Sequence, residues 1–390
     1  MLAFANLFAG NVAALDPITH TFTGAALAAA GLRRATPLAT AALLLGANAP
    51  DVDGLSYFAG GFESLAFRRG WTHGVLALPL WPFALIGLLL LWDRWVRRRR
   101  NRDAAPARAG PLLAVAALAV LTHPVLDWLN NYGMRWLMPF DGKWFYGDAL
   151  FIVDPWIWLT LGGVLFVRYS NRRSSLARWG AFWALSSLAV LTAPPALVAS
   201  PVRALWVAAL VSVVAIRWLR DKIVKSDAAF DRAAAAALAI VAVYIGAMVG
   251  ASVAARSQAR VELAARGIAG VERVMVAPAA GNPFAGEVVA TTADTYYLGR
   301  WRWLAEPRLE LAPESFPRPR GAVFEAAARS RDAQQYLSWA RFPIVDVERS
   351  ETGSAGADDG YVVRFSDARY RAQDRIPGPT VRLDRNLQLE

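Results

Sequence analysis

Three histidines occur in this chain, and each falls in a short polar motif at the edge of an apolar run. The motifs read Asp16-Pro-Ile-Thr-His20, Arg69-Gly-Trp-Thr-His73 and Thr122-His-Pro-Val-Leu-Asp127. A fourth polar motif, Asn48-Ala-Pro-Asp51-Val-Asp53, lies between the first two. Imidazole nitrogens with carboxylate oxygens form a donor set suited to zinc, manganese or iron in a hydrolytic site, more than to a structural zinc. The chain has no cysteine, which removes disulfides, thiolate zinc sites and cysteine nucleophiles.

The spacing sharpens this reading. His123 and Asp127 are four residues apart, so on a helix they share one face and either bind one cation together or let Asp127 orient His123. Pro124 suggests that His123 lies in the first turn of its helix. Asp16 and His20 repeat the spacing in reverse, although Asp16 before Pro17 also has the form of a helix N-cap. Asp51 and Asp53 straddle Val52; extended or turn backbone would aim both carboxylates at one point, where two anions need a cation or a shared proton. A loop cap is the alternative for that pair. The expected metal ligands are therefore His20, Asp51, Asp53, His73, His123 and Asp127, with zinc foremost and manganese or iron as alternatives. Such a set has room for two cations and favours water activation for phosphoester or amide hydrolysis. Asp16 and Asp154 are the carboxylates left for general-base work. Asp154 before Pro155 also reads as a cap, and Asp148 flanks the same run. Arg69 has the chemistry to bind a phosphate, a carboxylate or a lipid headgroup. Trp71, Trp128, Trp136 and Trp144 read as an interfacial aromatic belt.

The elements that must hold these residues are apolar. The 390 residues are 56% hydrophobic and the mean hydropathy is +0.30, too apolar for an ordinary soluble protein. The apolar blocks end near residue 254, and charged residues become frequent beyond it. This predicts a mostly α protein: a polytopic transmembrane helical bundle over 1–255, and a small C-terminal α+β extramembrane domain over 256–390. Expected spans are 74–96, 111–129, 150–167, 179–198, 202–218 and 233–253. The runs 21–32 and 37–46 fall short of the ~20 residues of a full span and read as a tilted hairpin. Residues 1–15 lack the basic region of a signal peptide and read as a retained, membrane-associated extension.

The net charge of +11 comes largely from arginines in loops between apolar blocks, a topology signal rather than a nucleic-acid surface. Placing Arg33-Arg34, Arg97 to Arg100, Arg172-Arg173 and Arg220 to Lys225 in the cytoplasm leaves every candidate ligand, and the C-terminal domain, on the other side. The bilayer is the expected partner, with no nucleic acid. In the C-terminal part, 271–277, 286–292, 296–304, 344–347, 361–365 and 381–387 have strand character, 322–331 and 333–341 read as helix, and 353–360 as a polar loop.

Taken together, Asp-Pro-Ile-Thr-His at 16–20, Asn-Ala-Pro-Asp-Val-Asp at 48–53, Arg-Gly-Trp-Thr-His at 69–73, His-Pro-Val-Leu-Asp at 123–127 and Phe-Ile-Val-Asp-Pro at 151–155 resemble the membrane-bound metal-dependent hydrolases, also described as inner-membrane-associated hydrolases. The resemblance covers roughly 16–160. It implies an integral membrane protein, in a bacterial inner membrane, with a metal site at His20, Asp51, Asp53, His73, His123 and Asp127. It also implies a distant similarity to zinc-dependent phospholipases C, which is fold-level analogy and fixes no substrate. The position of the ligands at the membrane surface, with access from the bilayer edge, is what makes a lipid or lipid-linked phosphoester the expected substrate. In that family the first motif usually starts the chain, whereas here fifteen residues precede it. Two other classes stand beside this one. A metal-ion transporter needs polar residues deep in its spans, and 80–92, 157–167 and 234–249 carry almost none. A non-catalytic scaffold would use the metal structurally.

Overall fold

The computed structural model describes residues 16–60, 62–195, 197–224, 226–350, 360–370 and 377–390. The N-terminal extension over 1–15, Lys225 and the polar loop over 353–359 lie outside the described residues.

Helix α1 (Pro17–Ala29) starts where the Asp-Pro pair directs it, with the Asp16 carboxylate accepting from Thr19 N at 3.0 Å and Pro17 in the first turn. A short turn at Leu32–Arg34 leads to α2 (Ala39–Gly46). These Ala-rich helices lie backbone to backbone: a Cβ on Gly24 would come 2.5 Å from Leu43 O. Next come an 11-residue 3-10 helix (Ala49–Ala59), the short α3 (Glu63–Phe67) and α4 (Ala77–Trp92), which continues through a π-helical turn to Arg100. Helix α5 (Ala109–Trp128) returns beside α4. Helix α5 runs unbroken through Pro124, so His123 sits near its C-terminal end, not in a first turn. Proline removes one intrahelical donor, and burial of Pro124 in the bundle helps hold the helix through that position.

Helices α6 (Pro155–Tyr169), α7 (Arg173–Thr192), α8 (Ser200–Ile223) and α9 (Asp227–Ala265) complete the helical part. Among the described residues, four helices are long and apolar enough to cross a membrane: 77–100, 109–128, 200–223 and 227–265. The expected spans over 150–167 and 179–198 are present as α6 and α7 but are not among those four. Helix α6 has only 15 residues and is buried on most sides, whereas α7 carries Arg173, Arg178 and four serines. The polytopic helical architecture with a C-terminal β region is as the composition predicted.

Helix α9 has 39 residues, about 58 Å at 1.5 Å per residue, well beyond the ~30 Å of hydrocarbon. Its last turns bury Ala255, Ala259 and Leu263 against Val276, Val288 and Trp301 of the first sheet. The position expected to divide the chain, 255/256, therefore falls inside one continuous helix.

That first sheet is an antiparallel meander, β1 (Arg273–Ala279), β2 (Asn282–Thr291), β3 (Thr295–Arg302) and β4 (Leu309–Pro317), with Val276 opposite Val288 and Val288 opposite Gly299. The sequence reading missed β4 because it holds two prolines and two glutamates; as an edge strand it tolerates both. Helices α10 (Ala322–Ala327) and α11 (Arg331–Trp339) precede a second antiparallel sheet of β5 (Pro343–Ser350), β6 (Gly360–Asp367) and β7 (Thr380–Leu383).

The C-terminal part docks directly on the loops that carry the histidine motifs. Trp339 and Tyr336 of α11 share a core with Leu65 of α3 and with Tyr132. Arg369 donates to Asn131 O at 2.9 Å, Trp144 Nε1 to Ser338 O at 2.8 Å, and Arg341 pairs with Asp148 at 2.8 Å.

Candidate metal centre

Four candidate ligands converge on one buried point. One ligand atom from each of Asp51, His73, His123 and Asp127 lies within 4.8 Å of the others. Asp51 comes from the 3-10 helix, His73 from the turn before α4, and His123 and Asp127 from one face of α5. His73 and His123 are fully buried and Asp127 nearly so.

The hydrogen bonds fix the direction of both rings. His123 Nδ1 lies 2.7 Å from Ala47 O. A carbonyl can only accept, so Nδ1 carries the proton and Nε2 keeps its lone pair. His73 Nδ1 faces Asp53 Oδ2 at 3.3 Å and Thr72 Oγ1 at 2.9 Å, which directs its Nδ1 proton the same way. The two Nε2 atoms are then 3.1 Å apart and need a proton or a cation between them. Asp127 Oδ2 lies 3.3 Å from His73 Nε2 and 3.5 Å from His123 Nε2. It is buried without a hydrogen bond of acceptable geometry, and Asp51 Oδ2 is another such oxygen. An unpaired buried carboxylate oxygen is costly, and Asp127 Oδ2 beside two imidazole nitrogens, with Asp51 Oδ1 3.7 Å from His123 Nε2, fits a divalent cation.

The other predicted positions surround this group. His20 stacks on His123 at 3.8 Å between ring centroids, and its Nε2 lies 3.5 Å from Asp127 Oδ1. Asp53 sits behind His73, accepting from Arg69 N at 2.8 Å and Thr72 Oγ1 at 3.0 Å and pairing with Arg68 at 3.4 Å. The backbone at 51–53 is 3-10 helical rather than extended. Adjacent residues there differ by about a third of a turn, so Asp51 and Asp53 diverge to opposite ends of the His73–His123 pair. Asp16 caps α1 and takes Trp158 Nε1 at 3.2 Å. Asp154 caps α6, accepting from Trp156 N at 2.9 Å and from Tyr244 OH at 2.8 Å. Asp148 pairs with Arg341 and Arg256.

Charge balance explains the pKa directions. Burial works against ionised His73, but hydrogen bonds and charge from Asp127 and Asp53 outweigh it and lift its pKa to about 9. Burial would raise Asp53, but bonding and charge from His73, with Arg68 and the Arg69 amide, lower it to about 2. Burial raises Asp16 to about 6 against its bonds to Thr19 and Trp158.

Arg69 is buried and donates to Asp127 Oδ1 at 2.8 Å and Asn130 Oδ1 at 3.1 Å, with its guanidinium over Tyr132. Its backbone is left-handed, φ 50°, which is uncommon outside glycine and is held by the Asp53 bond and by Arg135 N donating to Arg69 O at 2.9 Å. The sequence reading missed Arg68, Thr72, Asn130 and Arg135. Arg68 was visible in principle: two adjacent arginines in a loop that the charge pattern places outside break the pattern, and buried carboxylate partners explain such a break.

These features define an integral membrane protein with a buried histidine–aspartate group that can hold a cation. Residues 15–198 match the family described as YdjM inner membrane protein. The uncharacterized protein YfhP of Bacillus subtilis (strain 168) is 27% identical over 162 residues, covering 42% of this chain and 43% of that protein. The chain thus spans under half the length of this curated relative. No solved structure gives a significant match.

Proposed function

We propose that the chain is a membrane-embedded metal-dependent hydrolase acting on a phosphoester or lipid-linked substrate. The observation that carries this reading is the pair of Nε2 atoms 3.1 Å apart, beside the buried Asp127 Oδ2 that has no hydrogen bond. Asp51, His73, His123 and Asp127 would hold the cation, with His20 and Asp53 supporting or extending the set. Zinc is the first choice for these donors, with manganese or iron next. A cation there supplies Lewis acidity that turns water into a nucleophile at neutral pH.

The chain's own residues do the rest. Asp53 and the Ala47 carbonyl hold the Nδ1 protons of His73 and His123, which keeps both Nε2 atoms directed inward. Arg69 binds Asp127 Oδ1 and leaves Oδ2 facing the imidazoles. Asp16 and Asp154 are the proposed proton carriers; Asp16 has the pKa for it, about 6. On the charge pattern, the site and the C-terminal region lie on the non-cytoplasmic face of an inner membrane.

Full burial of His73 and His123 favours a second reading, a structural cation in a non-catalytic scaffold. One assay separates the two. Purified protein in mixed micelles is offered a panel of phosphodiester and phosphomonoester lipids, with and without chelator. Chelator-sensitive hydrolysis restored by zinc, and absent in His73→Ala, supports the enzyme. Cation binding with no turnover of any substrate supports the scaffold.

A further inference from the structure

The 3-10 helix Ala49–Ala59 is unusual in length, since such helices rarely exceed three or four residues. Side chains three apart eclipse one another in this geometry, so its residues fall into stripes. Asp51 and Tyr57 lie on one stripe, and both bind Arg68. Asp53 lies on a second and binds Arg68 and the Arg69 amide. Val52, Leu55 and Phe58 form the third, and they are 44%, 63% and 90% exposed. Exposure grows along the stripe to a nearly bare phenylalanine, and no charged residue interrupts it. Two faces of the helix are thus anchored to buried arginines, while the third is left uncovered by the described residues.

We infer that this third stripe is seated in the bilayer, in the acyl-chain layer just beneath the headgroups. Continuity with the spanning surface selects lipid as the occupant. The 3-10 helix packs against the ends of α2, α4 and α5. The neighbouring ends of those helices expose Leu45, Val75, Leu76, Leu80 and Phe83, so the apolar surface passes from α4, a membrane-crossing helix, onto the stripe. An amphipathic helix with one apolar face and a polar face held by protein is the form in which a segment lies in an interface. Asp51 is the chain neighbour of Val52, so the stripe also sets the depth of the histidine–aspartate group at the membrane surface. This inference does not depend on any hydrolytic activity.

Because the chain lacks cysteine, single-cysteine spin labels report cleanly. Phe58→Cys, Leu80→Cys as a lipid-facing reference and Asn101→Cys as a loop reference are labelled in full-length protein in phosphatidylglycerol–phosphatidylethanolamine nanodiscs. Collision rates with oxygen and with a water-soluble nickel chelate are then compared. The inference predicts an oxygen-to-nickel ratio at 58 several-fold above that at 101 and close to that at 80. A ratio at 58 equal to that at 101 overturns it. So does spin–spin broadening at 58 with low access to both reagents, because that result places a second copy of the chain on the stripe.

Discussion

Two imidazole nitrogens 3.1 Å apart, both with their other nitrogen committed to a proton, cannot each carry a second one. At the scale of single residues the site is a competition between one proton and one cation. The proton is the one His73 holds, with its pKa lifted, against burial, to about 9 by Asp127 and Asp53, so apparent cation affinity should rise roughly tenfold per pH unit while one proton is displaced, levelling off near pH 9. Titration with a fluorescent competing chelator between pH 6 and 9 measures this, and a flat profile contradicts it. The same proton stabilises the cation-free fold: its contribution is complete below the ordinary histidine value of about 6.5 and is lost as pH rises through about 9. Asp53→Asn keeps the shape but weakens the partner of His73 Nδ1, and affinity should fall about 10–100-fold. Unchanged affinity in the same titration would remove Asp53 from the account. Arg69→Ala leaves Asp127 without its guanidinium in a buried place, and should cost about 3–5 kcal/mol of stability in the cation-free protein.

At the scale of elements, the sequence was informative wherever one segment decided its own fate. Asp16-Pro17 specified a helix start, and the i, i+4 spacing placed His123 and Asp127 on one face. Hydropathy marked the long spans. Legibility failed where contacts from elsewhere chose the conformation. The Asp51–Asp53 pair reads as extended or turn backbone with both carboxylates aimed at one point, yet Arg68 and Arg69 bind both sides of the segment and support a long 3-10 helix that separates the two carboxylates. Edge strand β4 was hidden by its prolines, and α6, read as a span, is a short helix sheltered by its neighbours. The turn that delivers His73 depends on a close approach that no local pattern signals. A Cβ on Gly74 would lie 2.3 Å from Met138 O, next to the bond from Val75 N to Trp136 O at 2.8 Å. Gly74→Ala should therefore destabilise by about 1–3 kcal/mol, whereas Gly87→Ala, with nothing within 4 Å, should be neutral or stabilising by about 0.4–1 kcal/mol. Thermal unfolding in one detergent compares them directly; equal losses would show that the close approach does not matter.

At the scale of the molecule, the C-terminal part closes over the loops that bear the cluster. One polar tie is Arg369, buried between Asp367 and Trp339 of its own part and the Asn131 carbonyl of the loop beneath. Burial alone would raise Asp367, but Arg369 and backbone donors hold its pKa below the ordinary value. A depressed carboxyl contributes stability that is present above the unfolded value of about 3.9 and is lost as pH falls through the folded value. Hydrogen exchange of β5 and β6 should consequently quicken in acid below about pH 4, before the apolar helices open; simultaneous opening would refute a separate tie. Arg369→Ala should produce the same quickening at neutral pH. The predictions on cation affinity lean on one claim, that the group of Asp51, His73, His123 and Asp127 holds a divalent cation. Elemental analysis of the purified protein, with His123→Ala prepared alongside, tests it most directly. The account predicts a divalent metal in near-stoichiometric amount in the native chain and its loss in a variant that remains folded. A native chain that stays metal-free after exposure to zinc, manganese and iron, or a variant that retains as much metal as the native chain, would contradict it.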